Sequence, residues 1–169
     1  MAQLYRESQQ FNQWWVWLIL FATLGFGNWA GYHEYMNGGG VTGLVISAVI
    51  STLVLILMAV LELRTTVTTD GIEIGFWPFH KKRIFRSEIE SARVRKYAPI
   101  GEYGGWGYRV GEAGTAYNMM GDQGLQLVLK DGKRILIGTQ DPEVLDDLIA
   151  DYLNDDTTEH LELKVLEKT

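Results

Sequence analysis

Two long apolar runs without charge constrain this chain more than any other feature of its sequence. The first covers residues 14–32 (WWVWLILFATLGFGNWAGY) and the second covers residues 42–61 (TGLVISAVISTLVLILMAVL). Each run is close to the ~20 residues with which an α-helix crosses a hydrocarbon core ~30 Å thick. Because backbone polar groups find no other partner in lipid, both runs are predicted to be helices. The sequence therefore predicts a two-helix transmembrane hairpin over residues 14–61.

Two other interpretations of these runs exist. A pair of buried helices in a soluble protein would need more chain than the remainder provides to cover them. A cleaved signal peptide would account for the first run alone, but Arg6 and Glu7 cancel in its n-region and a second apolar run follows at once. Glu34 is the one ionised side chain within residues 14–61, which favours the transmembrane interpretation.

Charge on either side of the runs predicts their orientation. The connection between them, HEYMNGGGV, holds no Lys or Arg, whereas the outer flanks hold Arg6 on one side and Arg64 with further cations on the other. Lys and Arg are enriched on the cytoplasmic side of membrane proteins. We therefore expect a multi-pass protein of the bacterial cytoplasmic (inner) membrane, with both termini and the soluble part in the cytoplasm.

Small side chains recur at four-residue spacing in both runs and let helix backbones approach closely in lipid. They are predicted to pack the helices together, or to dock the pair onto another membrane protein. The positions are Gly27, Gly31, Gly43, Ser47 and Ser51.

From residue 62 onward, the pattern changes to short β-strands and turns. Asp70 followed by Gly71 predicts a type I′ hairpin, and Asp131 followed by Gly132 predicts a second hairpin. RIFRSEI and ARVRKY are further strand candidates. About seven strands precede a helix that begins at Pro142. The buried stripe of this helix is predicted to comprise Val144, Leu145, Leu148, Ile149, Tyr152 and Leu153.

The predicted organisation has four parts. Residues 1–13 form an N-terminal cytoplasmic segment, residues 14–61 the hairpin, residues 62–153 the β domain, and residues 154–169 an acidic tail. Within the tail, LELKV alternates and is a candidate edge strand.

The strand series closed by one helix resembles a known family. TVTTDGIEI, the GGWGYR loop, LQLVLKDGKRILIGT and DPEVLDDLI together are similar to bacterial pleckstrin-homology-like (PH-like) domains attached to membrane helices. The resemblance implies a partly open barrel of two near-orthogonal sheets, capped by the C-terminal helix. It also implies a binding module and not an enzyme.

Motifs of catalysis or metal binding do not stand out in the sequence. There are no cysteines, and His33, His80 and His160 have no second ligand at metal-site spacing. The glycine-rich loop at residues 101–107 precedes a predicted strand, whereas a phosphate loop needs a helix N-terminus. We expect no cofactor, no metal and no small-molecule substrate, and the net charge of −6 disfavours nucleic acid.

Two groups of side chains are candidates for contacting a partner or lipid. One is the basic cluster Lys81, Lys82, Arg83 and Arg86, and the other is the aromatic group Tyr103, Trp106 and Tyr108. The favoured function is a non-catalytic, membrane-anchored protein-interaction module that serves as an accessory or stabilising subunit of a larger membrane complex. The alternative is a sensor of anionic lipid headgroups, in which the basic cluster binds the lipid.

Overall fold

The computed structural model describes residues 2–154, and the chain divides into two compact units. The helical unit is Phe11–Leu61. Within the described residues, the β unit joins residues 2–10 to residues 62–154. Together they form a mixed α/β fold with two sheets and four helices within the described residues.

The helical unit consists of two helices joined by a five-residue connection. They are α1 (Trp14–Met36) and α2 (Thr42–Val60). Of the helices within residues 2–154, α2 alone is long and apolar enough to cross a membrane, with a mean hydropathy of 2.7 and no part of it buried. By the same measure α1 falls short, because Trp, Tyr, Asn and Gly dilute its apolar residues.

The first sheet, sheet A, is antiparallel with strand order β1-β2-β3-β4. Its strands are β1 (Gln3–Gln10), β2 (Glu62–Thr68), β3 (Gly71–Trp77) and β4 (Lys82–Phe85). The sequence predicts no strand within residues 1–13, since QLYRESQQ lacks the alternation of apolar and polar side chains that marks a half-buried strand. Yet β1 pairs with β2 from Gln3 opposite Thr68 to Gln10 opposite Glu62.

The second sheet, sheet B, has strand order β5-β8-β9-β7-β6. Its strands are β5 (Ile89–Lys96), β6 (Gly107–Gly111), β7 (Gly114–Asn118), β8 (Gln123–Leu129) and β9 (Arg134–Gly138). All pairs are antiparallel except β7 with β9. A short helix, α3 (Pro99–Tyr103), lies between β5 and β6, and α4 (Pro142–Asn154) follows β9.

Alternating apolar residues of both sheets and one face of α4 form the main core. It includes Leu63, Val67, Ile72, Ile74, Ile84, Leu125, Leu127, Ile135, Ile137, Leu145, Ile149 and Tyr152, each at most 2% exposed. Full burial of one such aliphatic side chain contributes about 1.5–3 kcal/mol. A smaller cluster under α3 joins Tyr97, Tyr103, Ala116 and Leu136.

The predicted hairpins form, but one turn type is wrong. Gly71 pairs with Thr68 in the β2–β3 ladder and does not have positive φ, so the turn is not type I′. Gly71 has another role, since a Cβ there would clash with the carbonyl oxygen of Ile84 on β4. In the β8–β9 turn Gly132 does have a positive φ of 82°.

Two further predictions need correction. RIFRSEI is not one strand, because a 3-10 turn at Arg86–Glu88 separates β4 from β5. The last helix begins at Pro142 as predicted, but Val144 is 58% exposed and lies outside its buried stripe. The LELKV candidate strand lies outside the described residues.

Candidate interaction surfaces

A buried carboxylate ties β1 to the segment that follows β9. Glu7 is 7% exposed. Its oxygens accept hydrogen bonds from the Tyr5 hydroxyl (2.7 Å), Gln9 Nε2 (2.8 Å), Thr139 Oγ1 (2.8 Å) and the Gln140 backbone N–H (2.7 Å). Burial, reinforced by the hydrogen bond to Glu7, raises the pKa of Tyr5 and keeps its hydroxyl a donor. Four donors satisfy this carboxylate, so its role is to hold the β unit together.

Two cations of the predicted basic cluster, Lys81 and Arg83, are paired with carboxylates. Lys81 Nζ is 2.7 Å from a carboxylate oxygen of Glu73. Arg83 lies 3.7 Å from Asp70 and 3.8 Å from Glu73. Because these cations face acidic groups of the same sheet, their attraction for an anionic surface is reduced.

The other two cations of the cluster point elsewhere. Lys82 is opposite the buried Ile74 in the ladder, so its side chain leaves β4 on the face opposite that of Arg83. The guanidinium of Arg86 lies 4.9 Å from the ring centre of Tyr152 on α4. The four residues therefore do not share one surface.

The predicted aromatic group is divided between the core and the surface. Tyr103 is 7% exposed and packs edge-on against Tyr97, with ring centres 6.0 Å apart. Trp106 is half-buried, and its Nε1 donates to the Gly121 carbonyl oxygen at 3.0 Å. Tyr108 is 53% exposed. Of the three, Tyr108 is the exposed ring, whereas Tyr103 belongs to the cluster under α3.

A stack of rings joins sheet A to sheet B. Tyr117 lies between Phe76 and His80, with ring centres 6.4 and 6.0 Å away and nearly parallel planes. Tyr108 covers the outer side at 5.1 Å from Tyr117. Burial raises the pKa of Tyr117 to about 12. The stack is a structural link between the sheets and leaves only its outer rings at the surface.

Three guanidinium groups surround a shallow pocket of about 510 Å³ on the outer face of sheet B, which we name the arginine pocket. Its lining residues are Ser91, Arg93, Arg95, Gln126, Val128 and Arg134. Arg95 pairs with Glu102 at 2.6 Å, and this hydrogen bond lowers the pKa of that carboxyl. Arg93 and Arg134 form no ion pair within residues 2–154. The pocket therefore carries excess positive charge.

The sequence predicts only part of the arginine pocket. The sequence places Arg93 and Arg95 two residues apart in a strand, which puts both on one face. Arg109 lies in the same row of sheet B as Arg93 but on β6, at the opposite edge of the sheet, and does not line the pocket. Arg134 joins only through pairing of β9 with β8. Nothing in the local sequence indicates which strands are neighbours.

A second pocket, of about 540 Å³, lies on the outer face of sheet A. Its lining includes Arg64, Glu73, Trp77, Phe79 and Lys81. The Arg64 guanidinium lies 4.9 Å from the ring centre of Trp77, and its Nη2 lies 2.6 Å from a carboxylate oxygen of Glu62. This pocket combines exposed aromatic rings with paired charges.

In the helical unit, the small residues of α2 face α1. A Cβ built at Gly31 would lie 3.0 Å from Ser47 Oγ and 3.1 Å from the Leu44 Cα. Asn28 Nδ2 donates to Ser51 Oγ at 2.7 Å. These pairs run in opposite directions along the two helices, so α1 and α2 are antiparallel.

Two glycines among the small residues at four-residue spacing differ in environment. Gly27 has no atom within 4 Å of a built Cβ, because the line of contact on α1 passes through Asn28 and Gly31 instead. Gly43 lies beneath Glu34, whose Oε2 would be 2.9 Å from a built Cβ. That carboxylate sits at the first turn of α2, where the helix dipole favours negative charge.

Neither a metal centre nor a relative assigns a chemistry to these surfaces. Within residues 2–154, no group of three or more His, Cys, Asp or Glu side chains could hold a metal ion. Comparison with protein-family models, curated proteins and solved structures finds no match to this chain.

Proposed function

We propose that this chain is a non-catalytic, membrane-anchored protein-interaction module that serves as an accessory subunit of a membrane complex. The observation that carries the proposal is the pairing of β1 with β2 in sheet A, which holds residues 10 and 62 in adjacent positions. The chain between them, which forms the helical unit, therefore begins and ends at neighbouring positions of sheet A.

This pairing restricts how the chain can cross a bilayer. Since β1 and β2 share one folded sheet, Gln10 and Glu62 are on the same side of any membrane. The intervening chain therefore crosses an even number of times. If α2 crosses, α1 must cross as well, although its own hydropathy falls below that of α2. The register thus supports a hairpin of two spans.

The dimensions and surfaces of the helices support the same proposal. At ~1.5 Å per residue, α1 and α2 are ~34 and ~28 Å long, close to the ~30 Å hydrocarbon core. The amide of Asn28 bonds within the helix pair, to Leu24 and Ser51, as polar groups in lipid must. The connection, which has no Lys or Arg, then faces outward, and the β unit lies in the cytoplasm.

A PH-like architecture is part of this proposal. Two sheets followed by one C-terminal helix support it, as does the packing of α4 against β5 and β8. The parallel pair β7–β9 and the added strand β1 are features of this chain that the resemblance does not imply. PH-like domains are binding modules, which agrees with a role in holding a partner.

The partner surface with the strongest physical argument is the arginine pocket. Arg93 and Arg134 are exposed and form no ion pair within residues 2–154. Guanidinium groups bind carboxylates through paired hydrogen bonds and are enriched at protein interfaces. We propose that this pocket receives an acidic surface of another membrane protein.

Topology can be tested directly because the chain has no cysteines. Single-cysteine variants Met36→Cys and Ile100→Cys, both at exposed positions, are labelled in intact cells with a membrane-impermeant maleimide. We expect Met36→Cys to react from outside and Ile100→Cys to react only after lysis. Labelling of both variants from the same side would contradict the two-span hairpin.

The partner surface can be tested by co-purification from native membranes in mild detergent. Arg93→Glu is expected to lose partners that the wild-type chain retains. Lys130→Glu changes charge equally at an exposed position outside the pocket and serves as the matched control. Retention of the same partners by Arg93→Glu, or recovery of the wild-type chain alone, would contradict the proposed interaction.

The alternative function, sensing of anionic headgroups, has less support. Lys81 and Arg83 face Glu73 and Asp70, and Arg86 packs on Tyr152. Vesicle binding that falls steeply with salt and with charge removal at Lys81, Lys82, Arg83 and Arg86 would favour it over the protein-interaction role.

A further inference from the structure

We propose that the end of sheet A that carries Trp77 and Phe79 inserts into the headgroup layer of the bilayer. This aromatic edge would seat the β unit on the lipid surface, in addition to its two covalent links with the helices. The inference rests on the proposed membrane anchoring and assigns a specific lipid contact to the β unit.

The strand register places this edge beside both covalent links. Gln10, Glu62 and Trp77 lie in one row across β1, β2 and β3. Leu61 alone separates α2 from β2, and three residues separate β1 from α1. This end of sheet A is therefore the one at which β1 and β2 connect to the proposed membrane spans.

Covalent reach sets an upper limit on the distance. Two Cα steps of ~3.8 Å separate Val60 from Glu62, so their Cα atoms are at most ~7.6 Å apart. The opposing Trp77 adds ~5 Å across an antiparallel pair. Its Cα is thus within ~13 Å of the last residue of α2, for any angle between the two units. The headgroup region adds ~5–8 Å to each side of the hydrocarbon core, so the indole can reach it.

The exposed side chains of this edge suit the membrane–water interface. Trp77 is 47% exposed and Phe79 is 68% exposed, although both are large and apolar. Indole rings prefer the headgroup level, where one end is apolar and the other is hydrated. The Arg64 guanidinium over Trp77 can remain in the polar layer while its stem and the ring lie deeper.

The cations next to the two rings are paired with carboxylates, which distinguishes this contact from anion sensing. Arg64 is paired with Glu62, and Lys81 with Glu73. The insertion therefore depends on aromatic burial and not on anionic lipid. We expect it in neutral phosphatidylcholine vesicles, with little change when anionic lipid is added.

The test uses single-cysteine variants of the full chain, labelled with a bimane fluorophore and reconstituted in phosphatidylcholine vesicles. Phe79→Cys and Trp77→Cys report on the edge. Phe85→Cys is the matched control, because Phe85 is an exposed phenylalanine of the same sheet that pairs with Gly71 at the opposite end of β3. Ile50→Cys, near the middle of α2, reports on membrane insertion itself.

Quenching by nitroxides on lipid headgroups or acyl chains is compared with quenching by iodide in the buffer. We expect headgroup nitroxide to quench the two edge probes several-fold more than the Phe85→Cys probe, with the reverse order for iodide. Acyl-chain nitroxide should quench the Ile50→Cys probe.

Two outcomes would overturn the inference and are distinguishable. If both edge probes behave like the Phe85→Cys probe while the Ile50→Cys probe is in lipid, the proposed lipid contact of Trp77 and Phe79 is wrong, whereas the proposed membrane anchoring stands. If the Ile50→Cys probe is quenched by iodide and not by lipid nitroxide, the proposed membrane anchoring and the proposed lipid contact are both wrong.

Discussion

The carboxylate of Glu7 accepts a hydrogen bond of 2.8 Å from the hydroxyl of Thr139, which lies 132 residues further along the chain. Gln9 reinforces this link, because its Nε2 donates to the carbonyl oxygen of Gly138 at 2.8 Å. The first strand is thereby attached both to β2 and to the end of β9. The contact fixes the polypeptide before the helical unit to the end of the domain that follows it.

Replacing Glu7 with Ala is expected to destabilise the β unit by about 3 kcal/mol, because it removes the acceptor that four donors share, among them the buried hydroxyl of Thr139. Thermal unfolding of the full chain in mild detergent measures the loss. Hydrogen exchange of β1 locates it. Glu90→Ala, at an exposed position on β5, is the control and should change stability by less than about 0.5 kcal/mol. Equal effects of the two substitutions would show that the buried carboxylate has no special role.

Gly31 and Gly27 offer a matched pair of substitutions in α1. Gly31→Ala is expected to weaken the helix pair by about 1–2 kcal/mol, since the new methyl group meets the Leu44 backbone. Gly27→Ala places its methyl group in open space and should be neutral or slightly stabilising, because Ala is the better helix former. Reversible unfolding in mixed micelles compares them. A larger loss for Gly27→Ala would contradict the observed line of contact.

Asn28→Ala removes the interhelical hydrogen bond to Ser51. Such bonds contribute about 0.6 kcal/mol on average between membrane helices, so we expect a loss of that order. A double-mutant cycle with Ser51→Ala isolates the pair. Additive single effects, with no coupling energy, would mean that the hydrogen bond does not stabilise the helix pair.

Alkaline pH is expected to destabilise the β unit through Tyr117. Its folded pKa is raised to about 12, above the value of ~10 for an unfolded chain. The protonated ring therefore contributes stability that is fully present below pH ~10 and is lost as pH rises toward the folded pKa. Tyr117→Phe cannot ionise at this position, so its melting temperature should fall less between pH 8 and pH 11 than that of the wild type. Parallel curves for the two proteins would contradict this mechanism.

Local patterns in the sequence were sufficient to predict several helices and one hairpin. The uncharged runs mark α1 and α2, because an apolar stretch of that length has few other folded solutions. The alternating leucines around Asp131 and Gly132 predict the β8–β9 hairpin, whose partners are adjacent in sequence. Pro142 and the apolar spacing after it predict α4.

Only the tertiary structure showed the features that depend on residues distant in sequence, namely the strand β1, the dispersal of the basic cluster and the arginine pocket. The strand β1 carries no apolar alternation, so only its pairing with β2, beyond the helical unit, makes it a strand. The basic cluster reads as one patch along the chain, yet strand alternation and the 3-10 turn direct its members to different faces. Arg93 and Arg134 meet only because β8 lies between β5 and β9. Strand order is set by burial over the whole domain and cannot be read from any local segment, which is why residues that complete the proposed surfaces emerge only in the folded chain.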